Sequence, residues 1–150
     1  MRYAVCALLA FCLCLPLVGD QKSEKEKFKE VKALAEKGDP QQQFFLGGMY
    51  AKGNGCLEDD DEAIRWYKKS AEQGYARAQL WLGVVYADGN GVKKDIIAGY
   101  AWYNIATANE YSGARLLKES VAEKMTPEQI AKAQELSREM IKKNPKLINE

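Results

Sequence analysis

Cys56 is the single cysteine beyond residue 19, and the chain contains no histidine. The commonest general base is therefore missing, and with it the imidazole partner of a nucleophilic thiol or hydroxyl and the usual zinc ligand. No activating base stands near Cys56 in sequence, and Val92 takes its place in a second copy of the surrounding stretch, so the thiol is expected as a buried apolar group. The acidic run Glu58, Asp59, Asp60, Asp61 and Glu62 is dense enough to invite calcium. It opens a helix, however, where carboxylates cap amides and meet the positive end of the dipole. The triplets Gly53, Asn54, Gly55 and Gly89, Asn90, Gly91 lack the preceding strand and the lysine of a phosphate loop and read as turns. No catalytic residue, metal ligand or cofactor is expected. The side chains left for recognition are Phe45, Trp81 and Leu117, which recur at one position of a repeat.

That repeat organises everything else. Residues 38–73 return as 74–109 at a constant step of 36, which carries Leu46 to Leu82, Gly47 to Gly83, Tyr50 to Tyr86, Asp59 to Asp95, Trp66 to Trp102 and Tyr67 to Tyr103. Repetition at this period is the signature of a stacked array of helix pairs.

Each unit gives two helices. Asp39 caps and Pro40 opens the first, which runs to about Lys52 and ends in the glycine block; Asp59 with Glu62 caps the second, to about Gln73. Asp95 caps the counterpart in the second unit, to about Ala108. Positions 42, 46, 47 and 50, and again 78, 82, 83 and 86, share one face and make the core. Gly47 and Gly83 leave room at that contact for a neighbouring side chain, expected to be Trp66 or Trp102. Ahead of the units, Ser23 and Glu26 spell a capping box for a helix over 20–37, with Phe28, Val31, Leu34 and Ala35 as its apolar stripe. On the common alignment Ala35 meets Ala71 and Phe28 meets Ile64, so this helix is the second half of a worn preceding unit. After the repeat, residues 110–150 hold a degenerate helix over about 112–123 and a capping helix started by Thr126, Pro127 and Gln129. Its outer side carries Glu128, Lys132, Glu135 and Glu139, the polar end surface an array needs.

The N-terminus is of another kind. Arg2 precedes an apolar run over 3–18, and a charged sequence begins at Asp20, which is the form of a cleaved export signal over 1–19. Cys6, Cys12 and Cys14 fall inside it. Removing Arg2 with this leader from the 22 basic residues leaves 21 against 21 acidic ones, so the mature chain is neutral. Neutrality argues against nucleic acid or an anionic membrane as partner.

The arrangement in AQLWLGVVYADGNGVKKD and FFLGGMYAKGNGCLED resembles the Sel-1-like repeat of the tetratricopeptide superfamily, and EKMTPEQIAKAQELSREM resembles the closing helix of its bacterial members. Gln42, Cys56 and Gly99 depart from the usual pattern without touching any chemistry. The resemblance implies an all-α fold, a short α-solenoid of antiparallel helix pairs with capping helices at both ends. It also implies a scaffold that binds a protein or peptide, with exported relatives acting in envelope assembly, host interaction or toxin neutralisation. The expected function is an exported, periplasmic or secreted, non-catalytic interaction module. An immunity protein against a secreted toxin is the sharper form, and a hydrolytic enzyme of the envelope is the alternative. Cysteine-rich relatives described as β-lactam hydrolases carry a cysteine pair per repeat that is absent here. The expected partner groove is the side of the first helices bearing Gln41, Phe45, Lys52, Arg77, Trp81, Asp88 and Leu117, unless those aromatics pack between neighbouring helices.

Overall fold

The computed structural model describes residues 23–149; the expected leader and its three cysteines lie outside the described residues. Most helices start on a side chain that the sequence supplies for the purpose. Helix α1, Glu24–Glu36, begins at a complete capping box in which Ser23 Oγ accepts from the Glu26 amide and the Glu26 carboxylate accepts from the Ser23 amide. Asp39 accepts from the Gln42 amide at 2.9 Å to open α2, Pro40–Lys52, and Asp59 accepts from the Glu62 amide at 2.9 Å to open α3, Asp60–Glu72. In the second unit α4, Ala76–Asp88, follows Tyr75 without a side-chain cap, and Asp95 opens α5, Ile96–Ala108. Helix α6, Ala114–Ala122, starts at Gly113, and α7, Pro127–Lys143, starts at the Thr126 and Gln129 capping box. The acidic run thus serves α3 as its cap and first turn. Among the described residues every element is helical, and none is long and apolar enough to cross a membrane.

Left-handed glycines end the first helix of each unit, Gly53 at φ 65° and Gly89 at φ 81°, so the chain reverses within a few residues. The Asp59 amide then donates to the Tyr50 carbonyl and the Asp95 amide to the Tyr86 carbonyl, closing the two hairpins alike. The hairpins α2–α3 and α4–α5 stack through α3 on α4; α1 covers α2, while α6 and α7 both lie against α5.

Packing corrects one expectation. The space over Gly47 is taken by the ring of Tyr67, whose Cδ1 and Cε1 would lie 2.8 Å from an added Cβ, and Tyr103 lies over Gly83 in the same way. Trp66 turns instead toward α1, where it is buried with Ala35 and Leu46 beside Phe28 and Val31. Leu46 and Leu82 are fully buried, as the core face requires, whereas Tyr50 and Tyr86 are half-buried. Cys56 is also only half-buried, and its thiol donates to the Met49 carbonyl at 3.6 Å.

Helix α1 stands to the first unit as α3 stands to the second. Gly55 abuts the main chain of Glu24 and the Phe28 side chain, and Gly91 abuts Asp60 and Ile64, the residues 36 positions later. A buried amide ladder repeats with the same step. Gln43 donates from Nε2 to the Ala35 carbonyl at 3.1 Å and accepts from Gln73 Nε2 at 2.7 Å. Gln79 donates to the Ala71 carbonyl at 3.2 Å and accepts from Asn109 Nδ2 at 2.7 Å. Each ladder ties the first helix of a unit to the helix before it and to the end of the helix after it.

Beyond α7 the chain does not simply end. A short 3-10 turn, Pro145–Leu147, carries it back across the α3–α4 turn. The Leu147 carbonyl accepts from Gln79 Nε2 at 2.8 Å and from Asn109 Nδ2 at 2.7 Å. Asn144 Nδ2 donates to the Glu72 carbonyl, Asn149 Nδ2 to the Gly74 carbonyl, and the Asn149 amide to Asn109 Oδ1. The tail is a strap sealed onto the second ladder.

Candidate protein-binding surface

Helices α2, α4 and α6 present the seven residues expected to form a groove, and all seven are exposed. Phe45 is 40% exposed, Trp81 44% and Leu117 37%, values high for large apolar side chains. Trp81 stacks on Tyr67 of α3 with ring centroids 6.3 Å apart and planes 10° off parallel. Its inner face is thereby held while the outer face stays open. Phe45 lies beside Phe44, the inward neighbour that packs against Tyr67 and Tyr75. Leu117 follows Leu116, which is exposed as well.

These residues converge only in part. Trp81 and Tyr67 wall a cleft of about 300 Å³ between the units, floored by Ala63, Ile64, Val84 and Val85, with Asp60 and Asn90 among its polar lining. Arg77 lines a different hollow of about 540 Å³, beside Pro40, Gln73, Tyr75, Tyr111 and Asn149, and its guanidinium lies over the Phe44 ring at 5.1 Å from the centroid. Gln41, Phe45, Lys52, Asp88 and Leu117 line neither space. They frame an exposed face rather than a closed groove. Asp60 and Tyr67 are cleft residues that the sequence reading did not assign to a surface. Tyr67 was legible as a repeated position shared with Tyr103, but the side of the helix pair it would serve was not.

Burial pushes the phenols of Tyr67 and Tyr103 up, Tyr103 to about 12 with Asp88 adding to the shift. Burial also raises the Cys56 thiol, helped by the Asp59 charge, which is the reverse of what activates a cysteine nucleophile. Among the described residues no group of three histidine, cysteine, aspartate or glutamate side chains is placed to hold a metal ion.

Helix hairpins stacked in register, each closing a tyrosine ring over a glycine, define an α-solenoid of short repeats. The Sel1 repeat model matches residues 43–75 and 76–111. A solved Sel1 repeat protein from Oxalobacter formigenes is 36% identical, with a TM-score of 0.63 over 83% of this chain and 92% of that one. A protective antigen present in uropathogenic Escherichia coli strains, which displays an SLR fold, is 33% identical with a TM-score of 0.76 over 85% of this chain. This chain spans 28% of that antigen. Among curated proteins, none matches the chain. The chain belongs to the Sel1 repeat family. Repeats of this family generally mediate protein–protein interaction, and their fold is typically a non-catalytic scaffold.

Proposed function

We propose that the chain is an exported, non-catalytic binding module of the periplasm or the secreted fraction, which captures a protein or peptide on the face of α2, α4 and α6. The observation that carries this reading is Trp81, braced from behind by Tyr67, open in front, and flanked by a cleft sized for one partner side chain. A rigid, half-open tryptophan beside an apolar pocket is the anchor type that dominates binding energy at interfaces. Export rests on the apolar run over 3–18 and its flanking residues. The unactivated Cys56 supports a role without catalysis.

Affinity capture from envelope extracts tests the proposal, with the chain from Asp20 onward as bait beside its Trp81→Ala variant. The expected outcome is one dominant partner lost in the variant, with affinity reduced by roughly 30-fold or more and helicity by circular dichroism unchanged. Equal capture by both baits would place the interface elsewhere, and an empty capture by both would count against a binding module.

A further inference from the structure

The repeat builds the amide ladder twice, and the chain's own tail fills only one of the two. In the second unit the strap uses four anchor residues: the side chains of Gln79 and Asn109, and the carbonyls of Glu72 and Gly74. Thirty-six residues earlier stand Gln43, Gln73, Glu36 and Gly38. The ladder bonds agree between the copies, 3.1 and 3.2 Å to the preceding helix and 2.7 Å in both between the side chains. What differs is the cover. A Cβ at Gly74 would meet Asn149 Oδ1 and the Lys146 carbonyl at 2.6 Å, whereas a Cβ at Gly38 would meet none of the described residues within 4 Å. Gln79 is fully buried and uses both hydrogens of its amide nitrogen, one of them on Leu147. Gln43 is only 5% exposed, yet among the described residues its amide donates once, to Ala35. The second hydrogen of the Gln43 amide therefore has no protein acceptor among the described residues, and a carbonyl arriving as Leu147 does in the twin supplies one.

We infer that the first-unit ladder is an open peptide seat, which takes an extended segment of a partner protein with the chemistry of this chain's tail. That segment has the form Asn-x-x-Leu-x-Asn, as in residues 144–149. The leucine carbonyl accepts from Gln43 and Gln73, the amide two residues later donates to Gln73 Oε1, and the asparagine side chains donate to the Glu36 and Gly38 carbonyls. The seat lies at the turn before α2 and uses none of the aromatic face, so it stands independently of the reading built on Trp81.

The test is a titration of the isotope-labelled chain from Asp20 onward with the synthetic peptide Lys-Asn-Pro-Lys-Leu-Ile-Asn-Glu, followed by nuclear magnetic resonance. Saturable shifts are expected at the Gln43 and Gln73 side-chain amides and at the Gly38 amide, while Gln79 and Asn109 stay in place. Gln73→Ala, or a peptide with both asparagines changed to alanine, weakens binding about threefold to tenfold. Lys132→Ala, on the exposed outer side of α7, binds as the unaltered chain does. No saturable shift at Gln43 and Gln73 with about 5 mM peptide would overturn the inference. Shifts confined to Gln79 and Asn109 would mean exchange with the tail and would overturn it too, because the peptide would then have chosen the occupied seat. A concentration-dependent dimer that the peptide dissolves would give the seat to a second copy and overturn its assignment to a foreign partner.

Discussion

Gly47 and Gly83 act through the space they leave, and the crowding around them decides what a single methyl would do. Both lie within helices, where replacing glycine by alanine gains roughly 0.5–1 kcal/mol of backbone entropy. At Gly47 the added carbon meets the Tyr67 ring at 2.8 Å and the Ala63 carbonyl at 3.0 Å, and at Gly83 it meets the Tyr103 ring. Those rings are buried and cannot swing aside, so overpacking at about 1–3 kcal/mol outweighs the gain. Gly48 is the control, since its nearest neighbour would be the Tyr67 hydroxyl at 3.7 Å, an ordinary contact. Urea unfolding should show Gly83→Ala destabilised and Gly48→Ala neutral or stabilised; equal effects would mean that the rings yield. The need for glycine was legible in the sequence because it repeats at a step of 36. The identity of its neighbour was not. Trp66 and Tyr67 are adjacent, about 100° apart around the helix, and which one meets α2 depends on a rotation that only the third helix in contact fixes. Here α1 supplies that contact by taking Trp66.

Helix limits were the most legible elements, because a cap is a contact between residues three apart. Ser23, Asp39, Asp59, Asp95 and Thr126 each accept from the amide that the pattern assigns them. The strap was invisible for the opposite reason. It has no periodicity, and its bonds reach from Asn144, Leu147 and Asn149 to partners as far as 75 residues away. The ladder fell between these cases: Gln43 and Gln79 repeat, but a glutamine side chain gives no sign in sequence that it is buried. The strap's weight follows from its parts. Leu147 is buried and its carbonyl satisfies two amides, one on the fully buried Gln79. A chain ending at Lys143 should lose roughly 2–4 kcal/mol against the full chain in denaturant unfolding. Asn109→Ala, which removes the side-chain bonds to Gln79, Leu147 and the Asn149 amide together, should lose roughly 1.5–3 kcal/mol. A truncated chain of unchanged midpoint would show that the strap lies outside the cooperative unit.

At the scale of the whole array, the two ends are closed unequally among the described residues. Helix α5 is covered by α4, α6 and α7, and the strap ties its C-terminal cap residue Asn109 to the α3–α4 turn. Helix α1 has one buried residue, Ala35, and otherwise rests on the half-buried Phe28 and Val31. The Lys27–Glu24 ion pair on it is exposed and adds little. In a linear array stability is a sum of units and nearest-neighbour interfaces, so the end with the thinner interface opens first. Native-state hydrogen exchange should find α1 amides exchanging through local opening, about 100-fold or more faster than those of α4 and α5. Equal protection across all helices would mean one cooperative block and an interface at α1 stronger than its burial implies. The asymmetry bears on function, because the open ladder is built from the last turn of α1, the first turn of α2 and the end of α3. Opening of α1 dismantles the seat around Glu36 and Gly38, and a peptide bound there must hold α1 down. Exchange of α1 should therefore slow in proportion to peptide occupancy, while α5, already sealed by the strap, stays unchanged.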